Sequence, residues 1–151
     1  MKYILVILFF TLASSQVFSQ GDSGIYLSIK CGKGSLKHTT MMTNKQICLA
    51  PSPMILPAEF NAITDVMTRG NHVWFDMTIS LKAVQVLSQI SSNLPSSTFA
   101  LVVEKQVFYT FPANDLRPGR IFRFQGEIKD QGTFHTMQKR LKTLIESNVP
   151  Q

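Results

Sequence analysis

The chain has 151 residues, of which 44% are hydrophobic and 16% charged, and its formal net charge is +6. This is an ordinary globular composition sized for one domain, and beyond the N-terminus no segment is long and apolar enough to cross a membrane. The basic residues are dispersed and match no nucleic-acid motif, so nucleic acid is not an expected partner. A basic protein is suited to anionic lipid, acidic glycans or a negatively charged partner, although such a charge is more often only a soluble surface.

The N-terminus has the layout of a secretory signal peptide. Lys2 precedes an apolar run from Ile4 to Ala13, and small and polar residues then lead to Ser19. We predict a signal peptide at residues 1–19, cleaved after Ser19, and therefore a periplasmic or secreted protein. An uncleaved anchor is the alternative, but its apolar run is shorter than the roughly 20 residues that span a bilayer.

The two cysteines, Cys31 and Cys48, both follow the predicted signal peptide. In an oxidising compartment, an even pair of cysteines favours a disulfide. Two free buried thiols are the alternative.

The first part of the exported chain predicts short strands. Gly24–Lys30 alternates apolar and polar side chains, as a half-buried strand does. Gly32–Asn44 is polar and glycine-rich, which predicts a loop. Lys45–Ala50 is a second short strand, ended by Pro51.

Two strands and a helix are predicted next. Ile63–Arg69 and His72–Ile79 flank a turn at Gly70-Asn71. Apolar residues then recur at helical spacing from Ser80, a suitable N-cap, and Pro95 ends the helix.

The last third predicts a hairpin, one more strand and a second helix. Phe99–Val103 is continuously apolar, which indicates a central strand, and Glu104-Lys105 is its short polar connection. Pro112–Arg120 is a loop, Ile121–Gln125 a strand, and Thr133–Glu146 an amphipathic helix. The order of elements predicts one α+β domain with two helices packed on a mostly antiparallel sheet.

No pattern of catalytic or metal-ligating residues emerges. There is no G-x-S-x-G segment, and His38, His72 and His135 fall in a predicted loop, at a strand start and in a helix. There is no H-x-x-x-H or C-x-x-C segment, and His72 and Asp76, four apart on a predicted strand, would lie about 13 Å from each other. We therefore predict a protein that is not an enzyme and that holds no metal or cofactor.

Two features are candidates for partner binding. Arg117, Arg120 and Arg123 lie close together around the predicted loop, and arginines bind carboxylates or phosphates in bidentate fashion. Arg120 and Arg123 are three apart on a strand and point to opposite faces, so a solvated rim is the plainer interpretation. Trp74, predicted on the outer face of its strand, is either an interface anchor or packed under a loop.

Four segments in order carry a family resemblance: "CLAPSPMILPAEFNAI", "VWFDMTISLKAVQVLSQI", "FALVVEKQVFYTFP" and "RIFRFQGEIKDQGTFHTMQKRLKTLIESNVP". From about Cys48 to Pro150, the chain resembles the head subdomain of the first periplasmic region of SecD/SecDF, the bacterial protein-export auxiliary. The resemblance implies a ferredoxin-like head at residues 48–151, preceded by a strand and loop extension at 20–47. It also implies a place in the bacterial periplasm and contact with emerging polypeptide during export.

The sequence departs from that family in two respects. The family's Asp-Gly hairpin turn is Glu104-Lys105 here, and its glycine-rich loop is reduced to Pro118-Gly119. The family's transmembrane helices have no counterpart, so its proton-driven motor function is not expected to carry over. We predict a free-standing, non-catalytic binding module for polypeptide or a protein partner. The alternative is an inhibitor or immunity-type protein that blocks an enzyme with the Arg117–Arg123 loop, and a hydrolase has no supporting residues.

Overall fold

The computed structural model of the chain describes residues 23–113 and 121–148. The predicted signal peptide at residues 1–19 lies outside them, as do Arg117, Arg120 and nearly all of the loop that contains them. The described residues form an α+β fold, as predicted. Its elements in chain order are β1 (Gly24–Leu27), β2 (Leu36–Thr40), β3 (Gln46–Leu49), β4 (Phe60–Ile63), β5 (Met67–Arg69), β6 (His72–Ile79), α1 (Leu81–Asn93), β7 (Thr98–Val103), β8 (Gln106–Pro112), β9 (Ile121–Glu127) and α2 (Gln131–Ser147).

The first sheet has five strands in the order β1-β7-β8-β2-β3, and only the β2–β8 pair is parallel. Its two outer strands also meet each other. Ser28 and Leu49 are bridge partners, and the Ile29 amide donates to the carbonyl of Cys48 at 2.9 Å. The sheet therefore closes into a small barrel, in which the extension predicted at residues 20–47 contributes β1, β2 and the start of β3.

Both faces of β7 are buried because the barrel and the main core lie on opposite sides of it. The barrel holds a small apolar cluster: Tyr26, Leu49, Ala100, Val102 and Val107. The alternate residues Phe99, Leu101 and Val103 belong to the main core instead. Every residue from Phe99 to Val103 is at most 1% exposed, which confirms the predicted central strand.

The loop prediction for Gly32–Asn44 is wrong in its middle, where β2 lies. Leu36–Thr40 reads LKHTT and lacks the apolar alternation that marks a strand. Its backbone is nevertheless paired on both sides, with β3 and with β8. His38 consequently lies on a strand and not in a loop.

The second sheet is built around β6, where a single sheet for the whole domain was predicted. β9 pairs along one side of β6, and β4 and β5 pair with successive parts of its other side. Between β4 and β5, the Asp76 amide donates to the Thr64 hydroxyl at 2.9 Å, and the Thr64 amide donates to the Asp76 carbonyl at 2.8 Å. The strand predicted at Ile63–Arg69 is thus interrupted after its first residue.

The main core lies between the second sheet, the barrel and the two helices. Its largest contribution from one strand is the inward row of β6: Val73, Phe75, Met77 and Ile79. From α2 it receives the buried stripe Phe134, Met137, Leu141 and Ile145. A Cβ atom on Gly126 would lie only 2.7 Å from the Phe134 ring, so the glycine in β9 lets α2 approach the sheet this closely.

Helix α1 begins as predicted. The Ser80 hydroxyl accepts a hydrogen bond from the Ala83 amide at 3.0 Å, which satisfies one of the free donors of the first turn. The same hydroxyl donates to the carboxylate of Glu59. Within residues 23–113 and 121–148, neither helix has both the length and the hydropathy to cross a bilayer.

The β7–β8 connection is a tight turn at the predicted position. Glu104 and Lys105 have φ values of 50° and 66°, and positive φ at both central residues is the hallmark of a type I′ turn. Contacts from three other segments fix it. Ser23 Oγ accepts from the Glu104 amide at 2.9 Å, Arg140 donates to the Glu104 carboxylate at 2.7 Å, and His38 Nδ1 lies 2.6 Å from the Lys105 carbonyl oxygen.

Candidate functional site

The outer face of the second sheet carries two of the predicted partner-binding residues. On β6, Val73 and Phe75 point into the core and are fully buried, so the alternating Trp74 and Asp76 point outward. In the pairing register, Arg123 of β9 lies directly opposite Asp76. The structure therefore brings Trp74 and Arg123 together on one face.

Asp76 positions Arg123 beside Trp74. Arg123 Nε donates to Asp76 Oδ1 at 2.8 Å, and its second nitrogen donates to Oδ2 at 2.9 Å, which is a bidentate pair. The guanidinium carbon is 5.7 Å from the centroid of the Trp74 ring, within cation–π range. The hydrogen bonds from Arg123 to Asp76 and the attraction between their charges raise the pKa of the arginine above its ordinary value.

Exposed apolar side chains extend this surface. Met67 is the pairing partner of Trp74 and is 37% exposed, and Ile121, opposite Thr78, is 62% exposed. Partners in an antiparallel pair share a face of the sheet. We call these residues the open face: Met67, Trp74, Asp76, Ile121 and Arg123. It combines an aromatic ring, an arginine and apolar area, the composition typical of protein-binding surfaces.

The open face adjoins a free strand edge. The turn at Gly70-Asn71 makes Arg69 and His72 the hydrogen-bonded pair of a two-residue hairpin. Backbone hydrogen bonds alternate along an antiparallel strand, so the amides and carbonyls of even-numbered β6 residues point toward β5 and those of odd-numbered residues toward β9. The bond from the Ile128 amide to the Asn71 carbonyl, 2.8 Å, follows this rule. The backbone groups of Arg123 and Gln125 therefore point away from β6. No strand in the described part of the chain pairs with this edge of β9.

The loop that was predicted to present three arginines lies mostly outside the described residues. Arg117 and Arg120 lie in residues 114–120, outside the described residues, and only Arg123 is placed. Its guanidinium is 2.8 Å from Asp76, so within the described chain its main partner is a carboxylate of its own sheet. Asp76 is the residue that sequence reasoning missed. Its position two after Trp74 on one strand was the available signal.

The three histidines lie on three different elements, β2, β6 and α2. Among residues 23–113 and 121–148, no three His, Cys, Asp or Glu side chains are grouped so as to hold a metal ion. A shallow cavity near the start of α1 has a volume of only about 80 Å³, well below the roughly 300 Å³ of typical ligand pockets. Its lining includes Met54, Leu56 and Val86 beside Glu59 and Lys82.

Cys31 and Cys48 form a disulfide, as favoured from the sequence, with their Cα atoms 5.1 Å apart. The bond ties the segment after β1 to β3, next to the place where the barrel closes. The disulfide thus supports the closure that pairs the two outer strands.

A scan against protein-family models found no match for this chain, and a search of curated proteins found none either.

Proposed function

We propose that the protein is an exported, non-catalytic binding module that captures extended polypeptide along the free edge of β9. The observation that carries this proposal is the outward-facing backbone of Arg123 and Gln125 beside the open face. An added strand would bond to these backbone groups, and its side chains would alternate between the open face and the opposite side of the sheet.

Among the described residues, the two outer strands of the barrel's sheet offer no comparable edge. β1 and β3 bond to each other at Ser28 and Leu49, and residues 54–55 cover the start of β1 through bonds to Ile25. On the far side of β6, β5 spans only three residues, and α2 contacts β4. β9 spans seven residues and is the longer edge.

The relation to the SecD/SecDF head is part of this proposal. Two features support it: the order β6-α1-β7-β8-β9-α2, and the turn at Glu104-Lys105, whose positive φ values are those that the family's Asp-Gly pair favours. In this structure β6 and β9 pair in one sheet, whereas β7 and β8 pair in the other. The proposed likeness to a ferredoxin-like fold is therefore a likeness in the order of the elements. An export-related role in the periplasm would follow from the same relation.

The test is binding of a permanently unfolded, carboxymethylated polypeptide without tryptophan, followed by the fluorescence of Trp74, the sole tryptophan. Gln125→Pro removes an outward-pointing amide at an exposed edge position, where proline is tolerated. We expect it to weaken binding at least tenfold, while Gln125→Thr, which keeps the amide, binds like the parent protein.

Equal binding by the proline and threonine variants would rule out the edge as the site. The alternative function has its own signature. Recovery of one folded, stoichiometric partner from a periplasmic extract, with no binding of unfolded polypeptide, would indicate an inhibitor or immunity-type protein instead.

A further inference from the structure

A second surface, on the barrel, has a different chemistry. Residues 23–58 contain four lysines and no arginine, aspartate or glutamate. The four are Lys30, Lys33, Lys37 and Lys45. All are exposed, and none forms an ion pair with another described residue. The positive charge of this segment is therefore not neutralised by the described chain.

Strand register and the disulfide bring three of these lysines together. Lys37 is the pairing partner of Cys48, which places their Cα atoms about 5 Å apart. Cys48 is bonded to Cys31, and Lys30 precedes Cys31 directly. Lys33 lies in the turn that follows, where the Ser35 hydroxyl bonds to both the amide and the carbonyl of Gly32.

Lys37 projects outward from the barrel, and Lys30 and Lys33 are exposed beside it. The neighbour of Lys37, His38, points toward the barrel interior, since its ring lies 6.3 Å from that of the buried Tyr26. Successive residues of a strand point to opposite faces, so Lys37 points to solvent. We call Lys30, Lys33 and Lys37, together with the exposed apolar residue Ile29, the lysine face. Ile29 lies beside Cys48, to whose carbonyl its amide donates, and is 36% exposed.

We propose that the lysine face binds the surface of an anionic lipid bilayer. The surface potential of such a bilayer attracts clustered lysines without requiring a fixed geometry, and Ile29 supplies an apolar group that can enter the interface. A discrete phosphate or carboxylate ligand would instead favour arginine, which is absent from residues 23–58. Single-stranded nucleic acid would need exposed aromatic rings, and Tyr26 is only 1% exposed.

The attachment is weak and reversible. Apolar insertion here is limited to one partly exposed side chain, and charge supplies the rest of the affinity. This surface is on the barrel, whereas the open face is on the second sheet. The inference does not depend on the proposed function.

The protein is expressed from its full-length gene, exported by the expression host, and then sedimented together with lipid vesicles. One set is pure phosphatidylcholine and the other contains about one third phosphatidylglycerol, a composition that carries a negative surface potential. The quantity compared between variants is the extra binding to anionic vesicles, and all variants share the same N-terminal segment.

Lys33→Gln/Lys37→Gln should reduce that extra binding about 20-fold at low salt, and added salt should abolish it in the parent protein. The matched control is Lys139→Gln/Lys142→Gln, which removes two exposed, unpaired lysines of α2 and should bind nearly as well as the parent. Equal losses in the two variants would overturn the proposal. So would binding to a soluble anionic polymer such as heparin without any preference for anionic vesicles.

Discussion

Arg123 and Asp76 face each other across β9 and β6 and are joined by two hydrogen bonds of 2.8 and 2.9 Å. The carboxylate is the more enclosed partner, with its side chain 15% exposed against 55% for the arginine. The pair therefore fixes an exposed guanidinium at the side of Trp74, where a partner would meet both groups at once.

Removing that guanidinium should uncover the tryptophan. We expect Arg123→Ala to increase quenching of Trp74 fluorescence by acrylamide, with little change in the urea midpoint, because exposed ion pairs contribute little to stability. Lys129→Ala, which breaks another exposed pair, with Glu127, is the control and should leave quenching unchanged. Unaltered quenching in Arg123→Ala would show that the arginine does not shield the ring in solution.

The disulfide should make a large contribution to stability. Cys31 and Cys48 are 17 residues apart, and a loop of that size corresponds to about 3 kcal/mol of chain entropy removed from the unfolded state. Cys31→Ala/Cys48→Ala should lower the free energy of unfolding in urea by about this amount. Dithiothreitol should destabilise the parent protein to a similar extent and leave the double variant unaffected. A reductant effect on the double variant would point to a cause other than this bond.

Glu59 should make stability depend on pH in the acid range. The hydrogen bond from Ser80 is the main cause that lowers the pKa of Glu59 below its ordinary value of 4.5, and Lys82 adds to it. A carboxylate whose pKa is lowered by folding stabilises the protein fully above its unfolded-state pKa, and the contribution is lost as pH falls through the folded-state pKa. Urea unfolding should therefore show a decline in stability below about pH 4.5, and Glu59→Gln should flatten it.

Ser80→Ala separates the two roles of this hydroxyl. The variant should be less stable by about 1 kcal/mol at neutral pH through loss of the N-cap, and it should also weaken the acid decline. Glu59→Gln leaves the Ser80 hydroxyl able to accept from Ala83, so its neutral-pH loss should be smaller. If both variants kept the parent's pH profile, the Ser80–Glu59 contact would not be the cause.

The β7–β8 turn should gain stability from a glycine. Lys105 has a φ of 66°, which costs an L-amino acid about 1–2 kcal/mol and glycine almost nothing. Glycine is also more flexible in the unfolded chain, and the entropy that it loses on folding offsets part of this gain. The net effect of Lys105→Gly should be an increase of about 0.5 kcal/mol in the free energy of unfolding. Lys105→Ala keeps the Cβ atom and should bring no gain, so thermal unfolding of the two variants isolates the backbone term.

Local patterns predicted the elements whose signals lie within a few residues. Ser80 caps α1 because the hydroxyl and the amide it binds are three residues apart, and Phe99–Val103 is a central strand because a five-residue apolar run must be buried on both faces. The disulfide could also be predicted from the sequence, since Cys31 and Cys48 are the sole cysteines. Each of these depends on composition or short-range spacing.

Strand pairing depends on residues that are distant in sequence and could not be predicted from local patterns. β2 has no apolar alternation of its own, and it is a strand because β8, more than sixty residues later, pairs with it at Thr39 and Gln106. In the same way, nothing around Arg123 specifies that Asp76 stands opposite, since that depends on the register of β9 on β6. Register is fixed by which rows of side chains the core buries, and a shift of one residue would turn Arg123 inward.

The sequence by itself therefore determined the class of the fold, the disulfide, the cap of α1 and the turn at Glu104-Lys105. Only the tertiary structure decided that the strands divide between a closed barrel and a second sheet, and that Trp74, Asp76 and Arg123 meet on one face. The physical reason is that hydrogen bonds between strands join distant residues, whereas propensity and periodicity act over a few neighbours.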